Sequence, residues 1–192
     1  MQGPLYSPAQ YVARLESGTM KTPELILLTG ERGCGKTAWC LELIRQARAA
    51  GLHPAGLVSP AVFQDGVKTG IDLVDVSNGE SQRLAVKRAE ADPQSSIGAD
   101  TLSWQFDADT LAWGNQVLER LRTPELLLLD ELGPLEFQYA GGLAAGLKCI
   151  DDRDYLLACV VVRPELLAAA LERWPWAQVI RIADRLAESR RA

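Results

Sequence analysis

Gly30-Glu31-Arg32-Gly33-Cys34-Gly35-Lys36-Thr37 fits the pattern G-x-x-x-x-G-K-[ST], in which a glycine-bent loop turns successive backbone N–H groups toward phosphate oxygens. Before it, Leu25-Ile26-Leu27-Leu28-Thr29 is an apolar run of buried-strand length, and after it Trp39, Leu41, Leu43, Ile44 and Ala47 recur at roughly helical spacing. Strand, glycine loop and helix start are the setting that a phosphate cradle requires. The helix N-terminus adds unpaired N–H donors and a partial positive charge. On this reading Gly30, Glu31, Arg32, Gly33, Cys34, Gly35, Lys36, Thr37 and Ala38 line the phosphates of a bound nucleotide. Lys36 reaches the β and γ phosphates, and the Thr37 hydroxyl sits on Mg²⁺.

A phosphate cradle does not cleave phosphate, so a second acidic signal is required. Pro124 introduces Leu126-Leu127-Leu128-Leu129-Asp130-Glu131. Four leucines before two acids read as a central parallel strand ending at its carboxyl tip, the edge where open α/β sheets bind ligands. Asp130 is there the expected Walker B carboxylate, holding Mg²⁺ directly or through water. Glu131 is the candidate to orient or deprotonate a water that attacks the γ phosphate. Glu136 reads equally as a supporting acid and as an ordinary first-turn helix residue. Arg163 and Arg185 each follow a strand and are candidates to neutralise charge at the γ phosphate.

The rest of the chain fixes the surroundings. Gly51 is a plausible helix stop, and Asp65-Gly66 between Gly56–Phe63 and Val67–Val76 signals a hairpin, read as an insertion at the sheet's edge. Residues 77–100 are polar and read as a loop, with a short strand at Leu102–Phe106. Asp107 to Arg122 reads as a helix capped by Asp107 or Asp109. Gly142 and Gly146 lie at G-x-x-x-G spacing on a glycine-rich helix, which points to close helix packing. A strand at Tyr155–Val162, a helix to about Trp174, a strand at Gln178–Ile182 and a closing helix after Asp184-Arg185 complete the series. The fold class is therefore α/β: a P-loop NTPase with a mainly parallel central sheet and an inserted β-hairpin.

A chain of 192 residues favours one domain and is long enough to bury about 70% of its extended surface. Residues 23–192 form that P-loop domain. Residues 1–22 carry Gly3, Pro4, Pro8 and Gly18 and form an extension with a short helix around Ala9–Leu15, which either docks or stays mobile. The net charge of −5 argues against nucleic acid or an acidic membrane as partner. Four cysteines without a C-x-x-C pair and the single His53 argue against a zinc site or a disulfide framework. A reduced, cytoplasmic protein is expected, and no apolar run reaches the length of a membrane span.

These pieces, in this order, resemble the THEP-type nucleoside-triphosphatases. The resemblance rests on the loop Gly30–Thr37, on Gly56-Leu57-Val58-Ser59-Pro60 with Gly66 and Gly70-Ile71-Asp72-Leu73, and on Arg83-Leu84-Ala85. Its most specific part is Asp130-Glu131-Leu132-Gly133-Pro134-Leu135-Glu136, similar to the family's D-E-I-G-x-M-E. The resemblance implies slow, Mg²⁺-dependent hydrolysis of ATP, GTP and other nucleoside triphosphates, and a three-layer fold with helices on both faces of the sheet. The chain departs from the family at Arg163-Pro164, where a Thr/His-type sequence is usual, and at Asp184-Arg185, where Asn-Arg is common. The alternatives are a P-loop small-molecule or nucleotide kinase and a nucleotide-gated binding module with incidental turnover. A protein partner or self-association that supplies an arginine is a further expectation.

Overall fold

The computed structural model describes residues 7–87, 104–139 and 141–182. Its strands are β1 Glu24–Thr29, β2 Pro54–Val58, β3 Ala61–Gln64, β4 Val67–Asp75, β5 Ser81–Lys87, β6 Trp104–Phe106, β7 Leu126–Leu132, β8 Leu157–Val162 and β9 Gln178–Arg181. The helices are α1 Pro8–Glu16, α2 Lys36–Ala49, α3 Ala108–Arg120, α4 Pro134–Tyr139, α5 Ala144–Asp152 and α6 Leu167–Arg173.

One sheet runs in the order β6-β5-β4-β2-β7-β8-β1-β9, with β3 against β4. The five strands β2, β7, β8, β1 and β9 are parallel. Strands of this kind are covered on both faces and so read as unbroken apolar runs, as Leu25–Leu28, Leu126–Leu129 and Leu157–Val162 do. Alternate residues serve opposite layers. Leu25, Leu27, Leu127, Leu129, Ala158 and Val160 pack with Val117, Leu118, Ile150 and Ala170 of α3, α5 and α6. Ile26, Leu28, Leu126, Leu128, Cys159 and Val161 pack with Leu43, Ile44 and Ala47 of α2 and with Tyr11, Val12 and Leu15 of α1. Each fully buried leucine or isoleucine contributes about 1.5–3 kcal/mol, so these layers hold the parallel strand tips in register.

The antiparallel part is larger than the expected hairpin. The run Gly56–Phe63 is split at Ser59-Pro60: β2 is interior, between β4 and β7, and only β3 forms the hairpin arm on β4. Residues 81–87, expected as loop, form β5 between β4 and β6. Their strand character comes from pairing on both sides and from the cross-strand Arg83–Asp72 ion pair, contacts that a local pattern does not carry. Residues 88–103 lie outside the described residues, as do Asp184-Arg185 and the expected closing helix. The glycine-rich helix is in fact two helices, α4 and α5. Gly142 sits between them at φ +61°, and only Gly146 packs within a helix, its Cα side against Leu129, Leu132 and Leu118. No described helix is long and apolar enough to cross a membrane.

Candidate nucleotide site

The glycine loop joins the tip of β1 to the first turn of α2. Gly30, Gly33 and Gly35 all adopt positive φ, a backbone that L side chains resist. A Cβ on Gly30 would come within 2.6 Å of the Ile182 carbonyl oxygen and 2.8 Å of Cys34 Sγ, whereas at Gly33 and Gly35 it would meet nothing within 4 Å. The loop is thus closely packed at its root and open at its mouth. Lys36, the first residue of α2, donates from Nζ to the carbonyl oxygens of Gly30 at 2.7 Å and Glu31 at 2.9 Å. Its ammonium therefore lies inside the loop. Thr37 follows in the same helical turn, half-buried, and Ala38 is exposed.

Two strands away, β7 carries Asp130 and Glu131 at the same carboxyl edge. The parallel register pairs Leu129 with Val160 but Leu132 with Val162: three steps on β7 match two on β8. This bulge falls on Asp130-Glu131. A bulge re-aims what its strand carries, here the Asp130 side chain. Asp130 is 5% exposed, and its Oδ2 accepts from the backbone N–H of Ser59 at 3.3 Å. Ser59 stands where β2 gives way to β3, so the interrupted strand supplies a backbone donor to the acid.

The Cys40 thiol is pushed up in pKa by its hydrogen bond to Cys159, by burial, by the Cys159 charge and by that of Asp130. Cys40 lies one helical turn after Lys36. Two fully buried thiols thus pack between this helix and β8. Thr29, at the tip of β1, is fully buried and its hydroxyl has no hydrogen-bond partner among the described residues.

Arg163 follows Val162, the partner of Leu132, and so flanks the end of the bulged strand. It caps the 3₁₀ turn Pro164–Leu166 and lies 4.0 Å from Glu165. Arg185 lies outside the described residues. Glu136 is buried, and its carboxylate accepts from the N–H groups of Gly133 at 2.6 Å and Leu143 at 2.7 Å. The sequence pattern named this residue without revealing its partners. Ser59 was visible only as part of a family pattern, and Gly142 only as half of a G-x-x-x-G pair. Two cavities of about 520 and 390 Å³ share Leu121–Pro124. They open at the opposite edge, where β2 and β7 begin, away from the loop and its acids.

The donor set fits a small hard cation: a hydroxyl at Thr37 and a carboxylate at Asp130. No group of three or more His, Cys, Asp or Glu among the described residues forms a closed metal cage. The model of the NTPase family matches residues 25–185, most of the chain. The chain belongs to this NTPase family.

Among its relatives, the nucleoside-triphosphatase THEP1 of Caldivirga maquilingensis is 26% identical over 132 residues, 69% of this chain and 72% of that protein. The THEP1 of Methanopyrus kandleri is 26% identical over 60% of this chain and 61% of its own length. That of Pyrobaculum aerophilum is 32% identical over 58% of each. The chain thus spans between 58% and 72% of the length of these relatives.

Two solved structures share the fold, each at 18% identity. One is the solution structure of a human cancer-related nucleoside triphosphatase, with TM-score 0.63 over 84% of this chain and 90% of that one. The other is the crystal structure of THEP1 from the hyperthermophile Aquifex aeolicus, with TM-score 0.57 over 86% and 95%. Helix α1 precedes the stretch matched by the NTPase family model, yet Tyr11 stacks edge-on against Trp39 of α2 at 6.4 Å between ring centres.

Proposed function

We propose that this NTPase hydrolyses the β–γ bond of nucleoside triphosphates slowly, with Mg²⁺ and with little regard for the base. The observation that carries the reading is Asp130, buried on a bulge of β7 at the same carboxyl edge of the sheet as the glycine loop, with the Ser59 N–H on its carboxylate. Residues of the loop from Gly30 to Ala38 hold the phosphates, and Lys36 exchanges its two carbonyl partners for β and γ oxygens. Thr37 and Asp130 hold Mg²⁺, which when bound neutralises charge on the β and γ oxygens. Glu131 takes a proton from water, the water oxygen forms a bond to Pγ, and the bond to the β–γ bridging oxygen breaks. A nucleoside diphosphate and inorganic phosphate leave. Arg163, or Arg185, or an arginine from a protein partner or second copy, offsets the charge on the transferred group.

Broad base use follows from the resemblance to the THEP-type nucleoside-triphosphatases; the chain carries no Asn/Thr-Lys-x-Asp segment that would single out guanine. Residues 1–22 act as an extension of the catalytic domain at 23–192. The test is phosphate release from ATP and GTP with Mg²⁺, with and without small-molecule acceptors. Release without an acceptor supports hydrolysis. Phosphate that moves only to an added acceptor makes the protein a kinase, and binding without turnover makes it a nucleotide-gated module.

A further inference from the structure

Glu136 does more than begin a helix. Its Oε2 accepts from Gly133 N–H at 2.6 Å, three residues back, the half of a capping box that any first-turn glutamate can make. Its Oε1 accepts from Leu143 N–H at 2.7 Å, seven residues ahead and beyond the end of α4. A cap does not need the second bond. The carboxylate, 8% exposed, therefore ties Gly133 to Leu143 and closes the chain at those two ends.

Gly142 is fitted to this closure. It sits at φ +61°, and a Cβ there would lie 2.0 Å from Glu136 Oε1. Asn115 of α3 secures the same turn, donating from Nδ2 to the Gly142 carbonyl at 2.9 Å and accepting at Oδ1 from Ala145 N–H at 2.9 Å. One end of the closed loop is Gly133. That residue directly follows Leu132, where β7 rejoins β8 after the bulge at Asp130-Glu131. Among the described residues the bulge has no ladder pair of its own, so apart from the Ser59 N–H on Asp130 its backbone is held from its two flanks. Buried Leu129 fixes one flank, and the Glu136–Gly133 bond fixes the other.

We infer that Glu136 is a positioning residue for hydrolysis: with Gly142 it clasps the loop after β7 and so holds the bulged backbone that carries Asp130 and Glu131. The inference rests on the hydrolytic reading above. Steady-state phosphate release and triphosphate binding are measured for the parent, E136Q, G142A and the double variant, with amide hydrogen exchange at Gly133 and Leu143. Glutamine keeps the size but sets an NH₂ group against one of the two amides. A misplaced reacting group costs about 10²-fold in rate, so E136Q and G142A should each lower kcat about 10–10²-fold. Triphosphate affinity should stay within about twofold, and the double variant should be no slower than the slower single one. Exchange at Gly133 and Leu143 should be protected in the parent and fast in E136Q. Unchanged kcat in E136Q, affinity and rate falling together, multiplying losses in the double variant, or failure of E136Q to fold would each overturn the assignment. A parent that binds triphosphate but releases no phosphate sinks the hydrolytic reading instead, and the exchange measurement then decides the clasp alone.

Discussion

Lys36→Ala removes the one ammonium that lies inside the loop, where it touches the Gly30 and Glu31 carbonyls. Triphosphate affinity or turnover should fall about 10²-fold or more, as read by nucleotide titration and phosphate release; an unchanged variant would show that the loop does not hold the phosphates. Glu131→Gln tests the chemistry separately. It keeps size and polarity while losing the base, so binding should persist as hydrolysis nearly stops. Parent-like turnover would pass the role to another acid. At this scale the sequence revealed Gly30–Thr37 and Asp130, because motif spacing along one strand–turn–helix unit carries its own geometry. It hid the partners of Glu136 and the Ser59 donor on Asp130, since those contacts join segments that are far apart in the chain. The bulge was hidden as well, because it exists only in the register of β7 against β8.

Helix α3 begins where the sequence placed it. Asp107 accepts from the Thr110 N–H at 2.7 Å, and that bond, with the Thr110 hydroxyl, holds the Asp107 carboxyl below its ordinary pKa. A carboxyl whose folded pKa is depressed adds stability above its unfolded pKa and loses it as pH falls through the folded value. Asp107→Ala should therefore melt lower than the parent at pH 7, and the gap should close below the ordinary aspartate range near pH 4. Melting curves at pH 7 and pH 3 check this; a gap of equal size at both would exclude the charged cap. Elements with a local signal, such as this cap or the leucine run of β7, were legible. Strand β5 was not, since its Ser81–Lys87 segment is polar and becomes a strand through pairing with β4 and β6. Nor was the break between α4 and α5, which Gly142 makes by turning left-handed under the Glu136 carboxylate.

Across the whole molecule, the sheet gathers the phosphate loop, Asp130 and Arg163 on one edge and leaves both cavities on the other. Charge neutralisation by an arginine in such sites is worth about 10³–10⁵ in rate. Arg163 sits at the right edge but is engaged with Glu165 at 4.0 Å. Turnover of the isolated chain should accordingly fall well below about 10 s⁻¹. If Arg163 acts in cis, Arg163→Ala should lower kcat much more than it weakens binding. If it does not, turnover per chain should rise with chain concentration or with an added partner, as one copy lends an arginine to another. Fast turnover that ignores both the substitution and the concentration would rule out this account.

The two thiols under the site also make the protein its own gauge of breathing. Cys40 faces Cys159 between α2 and the middle of β8, and both are wholly shut away from solvent. A water-soluble alkylating reagent can meet them only when the structure opens, and lifting of α2 from the sheet is the local opening that bares both. Their labelling rate thus counts those openings, while half-buried Cys149 on α5 is labelled without them. A ligand that binds only the closed form must slow the count by the factor 1 + [L]/Kd. Mass spectrometry of labelled peptides, with and without triphosphate, should show Cys40 and Cys159 slowing together while Cys149 keeps its pace. Equal protection of all three would mean that nucleotide tightens the molecule as a whole.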